Sequence, residues 1–175
     1  MPKGAKIKIR IVLDADVVIH FAKGGRLSQL PSIFPDYEYV LLEAVHEELQ
    51  SDIRTQVDNQ IMLLKTITLH SFAPHGEMLR EYAMLRSRFG KGESACMAYC
   101  LFTHNVIGSS NLCDIRAYCQ EKQITYLTTI DFLWYAWRKH LMTTDEIKTF
   151  ICEVRSKGSI LPEVDIEKYV CDTVL

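Results

Sequence analysis

Long hydrophobic runs are missing from this 175-residue chain. No stretch approaches the ~20 apolar residues that a membrane-crossing helix needs, so no membrane partner is expected. A surplus of basic charge is missing as well. The 20 Lys and Arg are outnumbered by 22 Asp and Glu, for a net charge of −2. Proteins that grip long duplexes through many phosphates carry the opposite balance, so any nucleic acid must be held locally or by bound metal ions. Glycine and proline are scarce, at 8 and 5 residues, which excludes collagen-like and low-complexity chains. The six cysteines include no Cys-x-x-Cys pair, so zinc-ribbon and thioredoxin-type chemistry has no support. Cys96, Cys100 and His104 do fall on one helical stripe. A straight stripe cannot wrap three ligands around one ion, and small buried cysteines packing a helix explain it better.

What is present is an ordinary globular composition, 48% apolar and 24% charged, at a length suited to one domain spanning 1–175. The basic N-terminus (Lys3, Lys6, Lys8, Arg10) alternates with apolar residues instead of forming a signal-peptide core, so a cytoplasmic protein is expected. Strand-like and helix-like segments take turns along a core of about 7–150. Ile7–Leu13 reads as a strand, followed by a short helix through Phe21 that stops at Gly24-Gly25. Tyr37–Leu42 is a second strand, and from Glu43 one long amphipathic helix is expected to run through Ile61 and Leu64. Further helices are expected around Met78–Leu85, Glu93–Thr103, Leu112–Glu121 and Phe132–His140. The segments Val106–Ser109 and Ile124–Leu127 read as strands. Thr143-x-x-Glu146 spells a capping box for a helix through Phe150, and 157–175 forms a C-terminal extension. This alternation predicts an α/β fold, a central parallel sheet flanked by helices in three layers.

In such sheets ligands gather at the carboxyl ends of the strands, and acids cluster there. Asp14 and Asp16 follow the first strand, Glu93 opens a helix, and Asp114 follows the Val106–Ser109 strand by one helical turn. Glu47 and Glu48 sit in the long helix, one of them expected to be solvated. First-turn acids also simply complement a helix dipole, so Glu93 and Asp114 alone prove little. Asp14 differs because it ends a strand apolar on both faces, and a buried carboxylate needs a counter-charge. With few Lys or Arg nearby, a divalent metal with oxygen ligands is the natural partner.

Asp14-Ala-Asp16, Val-His-Glu-Glu48-Leu, Gly92-Glu93-Ser-Ala and Ser109-Ser110-Asn111-Leu-Cys-Asp114-Ile resemble, in order, the four acid-bearing motifs of PIN-domain ribonucleases, many of them toxins of type II toxin–antitoxin pairs. The resemblance implies a PIN-like fold and divalent-metal-dependent hydrolysis of RNA phosphodiester bonds. It assigns Asp14, Glu48, Glu93 and Asp114 as catalytic acids, with Asp14, Glu93 and Asp114 on Mg²⁺ or Mn²⁺. Asp16, Ser109 and Asn111 support them, and Glu47 is the less favoured neighbour of Glu48. An antitoxin protein and a homodimer are the implied protein partners. Two alternatives stand beside it. Val12–Val18 also resembles the opening motif of haloacid-dehalogenase-type phosphatases, with Asp14 as nucleophile, although no later strand ends in paired acids. The other is a catalytically inert PIN-like binding module, suggested by the neutral Asn111. Should Asp114 not be the fourth acid, Asp131 is the next candidate.

Overall fold

The computed structural model describes residues 9–175, without the side chains of residues 112–114. Five strands form one all-parallel sheet: β1 (Arg10–Leu13), β2 (Glu38–Leu42), β3 (Ile67–His70), β4 (Val106–Gly108) and β5 (Tyr126–Leu127). Their spatial order is β3-β2-β1-β4-β5. The chain therefore builds outward from β1 on one side, then returns to its other side with β4. Ile11, Val12, Leu13, Val40, Leu41 and Leu42 have no exposed surface, as expected of strands covered on both faces. Of the expected first strand, Ile7 and Lys8 lie outside the described residues.

The helices are α1 (Ala15–Lys23), α2 (Leu30–Ile33), α3 (Glu43–His46), α4 (Ser51–Asn59), α5 (Gly76–Arg86), α6 (Lys91–Thr103), α7 (Leu112–Lys122), α8 (Thr129–Arg138) and α9 (Thr144–Ser156). One layer is pinned by aromatic rings: Phe21 of α1 meets Phe132 of α8 edge-on at 6.1 Å and Phe150 of α9 at 5.2 Å. In the other layer α6 packs against β1, β2 and β4, with α3, α5 and α7 beside it. Among the described residues no helix is long and apolar enough to cross a membrane.

The sequence reading lacks strand β3 and makes β5 two residues too long, and three helix boundaries depart from it as well. The long helix expected from Glu43 breaks after His46. Glu48 and Leu49 donate to carbonyls three residues back, Gln50 is extended, and Arg54 Nη2 donates to the freed carbonyls of Glu47 and Leu49. Five residues, Gln60–Leu64, then widen into a π-helical turn ended by left-handed Lys65. Helix α8 starts at Thr129, three residues early, because Thr128 and Asp131 form a capping box. Helix α9 opens on the expected Thr143–Glu146 box but continues to Ser156. The C-terminal extension lies along α8 and β5: Tyr135 donates to the Thr173 carbonyl and Thr173 to that of Tyr126.

Candidate functional site

The strand order reverses between β1 and β4, and the loops leaving these two strands diverge into opposite layers. Asp14 occupies the first loop and Ser109–Asn111 the second. Asp14 is the N-cap of α1, extended at φ −87° and ψ 163°, and its Oδ1 accepts from the Ala15 amide at 2.8 Å. Its Oδ2 accepts from the fully buried Ser109 hydroxyl at 3.0 Å. Asp16, in the first turn of α1, accepts from the Val17 amide at 2.6 Å. Its Oδ2 accepts from the Ser110 amide at 2.7 Å and lies 3.4 Å from the same Ser109 hydroxyl. One hydroxyl proton thus sits between two carboxylates.

Asp14 is only 6% exposed, and its carboxyl is pushed up from its ordinary 3.8 to about 8. Burial is the main cause, with the negative charges of Asp16 and Glu93 adding to it; the hydrogen bonds from Ala15 and Ser109 oppose it. Asp16 is also raised, first by burial, against the pull of the Ser110 and Val17 amides. Among the described residues neither Asp14 nor Asp16 has an ion pair with Lys or Arg.

Glu93 lies in the first turn of α6, half-buried, and accepts from Asn111 Nδ2 at 3.2 Å. The expected residues Asp14, Asp16, Glu93, Ser109 and Asn111 therefore meet at one end of the sheet. Glu48 reaches this neighbourhood by another route. It is exposed, in the turn after α3, and its Oε1 accepts from the Gly92 amide at 2.9 Å, capping the start of α6. A Cβ at Gly92 would stand 2.6 Å from Glu48 Oε2 and 3.2 Å from the Val45 backbone, so any larger residue would displace the Glu48 carboxylate and press on the Val45 segment. Glu47 is exposed as well, bridged to Lys91 on the surface, so both members of the pair are solvated where one was expected to be. Residue 114 is in the first turn of α7; the Asp114 side chain lies outside the described residues. Asp131 is occupied elsewhere: Thr128 donates to Oδ2 and Tyr169 to Oδ1 at 2.7 Å. Cys96 and Cys100 are buried, with thiols directed at the Leu13 and Val106 carbonyls, and His104 is exposed, so that stripe is packing.

Ser110 and His20 were not singled out by the sequence, and Thr129 entered only with Thr128 as a possible second motif of the phosphatase alternative. Ser110 supplies an amide to Asp16, and its hydroxyl leads through Thr129 to His20. The one signal available was that His20 follows Asp16 by a single helical turn.

Carboxylates are hard oxygen donors, and buried Asp14 beside half-buried Asp16, with no cationic partner among the described residues, suits a hard divalent ion such as Mg²⁺ or Mn²⁺. Among the described residues no three His, Cys, Asp or Glu are grouped so that they could hold a metal ion. The fit rests on the Asp14–Asp16 pair and on Glu93, whose charge acts on Asp14. Comparisons with protein-family models, curated proteins and solved structures find no match to this chain.

Proposed function

We propose that this chain is a cytoplasmic, divalent-metal-dependent endoribonuclease of the PIN-domain type. The observation that carries the reading is the Asp14–Ser109–Asp16 arrangement, a buried and a half-buried carboxylate with raised pKa and no cationic partner among the described residues, at the point where strand order reverses. The order of the four sequence motifs supports it independently. Asp14, Glu93 and Asp114 would hold the metal, Mg²⁺ or Mn²⁺. Such an ion activates water and offsets charge developing on a scissile phosphate. Ser109 keeps the Asp14 and Asp16 carboxylates apart and oriented, Asn111 steadies Glu93, and Glu48 fixes the start of α6 on which Glu93 rides. A metal centre also supplies the positive charge that the chain, at net −2, lacks for binding RNA. An antitoxin protein and a homodimer are the partners that this reading brings with it.

The test is cleavage of single-stranded and structured RNA by purified protein with Mg²⁺ or Mn²⁺, and with EDTA. Metal-dependent cleavage lost in Asp14→Asn is the expected result. Failure to bind Mn²⁺ at millimolar concentration in calorimetry would overturn it in favour of an inert module. A trapped aspartyl-phosphate analogue on Asp14 would overturn it in favour of a phosphatase.

A further inference from the structure

The loop between β4 and α7 has only three residues, and each serves the acids. Ser109 donates to Asp14, the Ser110 amide to Asp16, and Asn111 Nδ2 to Glu93. The Ser110 side chain turns the other way. Its hydroxyl donates to Thr129 Oγ1 at 2.7 Å, and the Thr129 amide donates back to Ser110 Oγ at 2.8 Å. Thr129 is fully buried, and its Oγ1 lies 2.9 Å from Nδ1 of His20, itself 5% exposed.

One arrangement of protons satisfies this run of hydrogen bonds as follows. With the Ser110 proton on Thr129 Oγ1, the Thr129 hydroxyl has its own proton left to donate, and His20 Nδ1 is the acceptor in reach. In this arrangement His20 is neutral with its proton on Nε2; with the opposite tautomer Nδ1–H donates to Thr129 instead, and either way the ring holds Thr129 Oγ1. Burial, aided by nearby Lys23, pushes the His20 pKa down to about 4, which keeps the ring neutral at ordinary pH. A buried hydroxyl left without an acceptor is costly, so removing the imidazole frees Thr129 and with it Ser110.

We infer that His20 is a positioning residue for the acidic site, fixing the 109–111 loop through Thr129 and Ser110 so that the Ser110 amide stays on Asp16. Its effect on cleavage rests on the nuclease reading; its effect on the Ser110 amide does not. The experiment compares wild type with His20→Ala, His20→Asn and Thr129→Val as full chains. Hydrogen exchange of the Ser110 amide is followed by NMR, with the β1 amides as the reference for global stability, and Mn²⁺ affinity by calorimetry. Asn can place its amide oxygen near the position of Nδ1. The expected result is Ser110 exchange faster by about tenfold relative to β1 in His20→Ala and Thr129→Val. Mn²⁺ affinity falls about tenfold in both, as for loss of an outer partner of a metal site. His20→Asn restores both toward wild type. Unchanged Ser110 exchange in the Ala and Val variants overturns the inference, as does a folded Asn variant that rescues nothing. Should His20→Ala not fold, Thr129→Val with Thr129→Ser as its rescue decides alone. If wild type binds no Mn²⁺ the nuclease reading fails, while Ser110 exchange still judges His20.

Discussion

Asp14→Asn should make the metal-free protein more stable while destroying its function. The Asp14 carboxyl ionises at 3.8 ordinarily and at about 8 in the fold. Between those values the folded state binds more protons than the unfolded one, so this group's contribution to stability falls as pH rises from about 4 to about 8 and then levels off. The full slope is about 1.4 kcal/mol per pH unit. Half of it, sustained over three units, is about 2 kcal/mol, or roughly 4–8 °C of melting temperature for a chain of this size. Asparagine removes the titration and keeps the geometry. Its Oδ1 can accept from the Ala15 amide, Asn and Asp being comparable N-caps. Its Nδ2 can donate to Ser109 Oγ, freeing that hydroxyl's proton for Asp16 Oδ2.

The assay is urea unfolding of both proteins in EDTA at pH 5 and pH 8. Near-equal stability is expected at pH 5, and an advantage of about 2 kcal/mol for Asp14→Asn at pH 8. Saturating Mn²⁺ should reverse the order, because a ligand at a hundred times its Kd adds about 2.7 kcal/mol to the protein that binds it. An Asp14→Asn protein less stable than wild type at pH 8 in EDTA would refute the reasoning: Asp14 would then be a well-satisfied structural carboxylate.

Gly92→Ala drives a Cβ into Glu48 and the Val45 backbone and should cost about 1–3 kcal/mol in urea unfolding, with weaker Mn²⁺ binding as α6 shifts. Tyr169→Phe removes one hydrogen bond to Asp131 and should cost about 1 kcal/mol with RNA cleavage unchanged; a severe loss of cleavage would bring Asp131 into the site. Asp114→Asn should abolish metal binding and cleavage with little change in melting temperature, while Asn111→Ala should cost less because it removes an amide and no charge. An active, metal-binding Asp114→Asn protein would remove the fourth acid.

The parallel sheet was legible because buried strands such as Ile11–Leu13 and Val40–Leu42 are apolar on both faces, and a strand period followed by a helix period recurs along the chain. Asp14 and Glu93 were legible because one directly follows a strand and the other opens a helix, whereas Ser109 and Asn111 came only with the resemblance of the 109–115 stretch to a PIN motif. The break after His46 was not. Val45, Leu49, Ile53 and Val57 keep a helical spacing across it and are all buried; the interruption is held by Arg54 caps on carbonyls, which no periodicity records. The Thr128–Asp131 box was readable in principle as Thr-x-x-Asp, but it hides inside an apolar stretch. The contact from His20 to Thr129 spans 109 residues and was unreadable, since a single sequence carries no distance between its α1 and α8.

Three helices begin around the acids, and this explains why the cluster is tolerable yet incomplete. Asp14 caps α1, Glu93 lies in the first turn of α6, and Asn111 stands at the N-cap position of α7 without a side-chain cap bond. Each helix start offers unpaired amides and a partial positive charge, worth about 0.3–1 kcal/mol to a nearby anion. Three of them supply roughly 1–3 kcal/mol, whereas burying a single carboxylate costs several kcal/mol even after relaxation. Burial therefore wins, which is the sense of the raised pKa of Asp14 despite its cap and its bond from Ser109. A fold selected for stability alone would answer that deficit with an arginine, as Glu38 is answered by Arg10 at the opposite end of the same strand. At the carboxyl end of β1 no Lys or Arg among the described residues pairs with Asp14 or Asp16, and on the proposed nuclease reading a divalent cation, with its charge and preference for oxygen, would supply the answer.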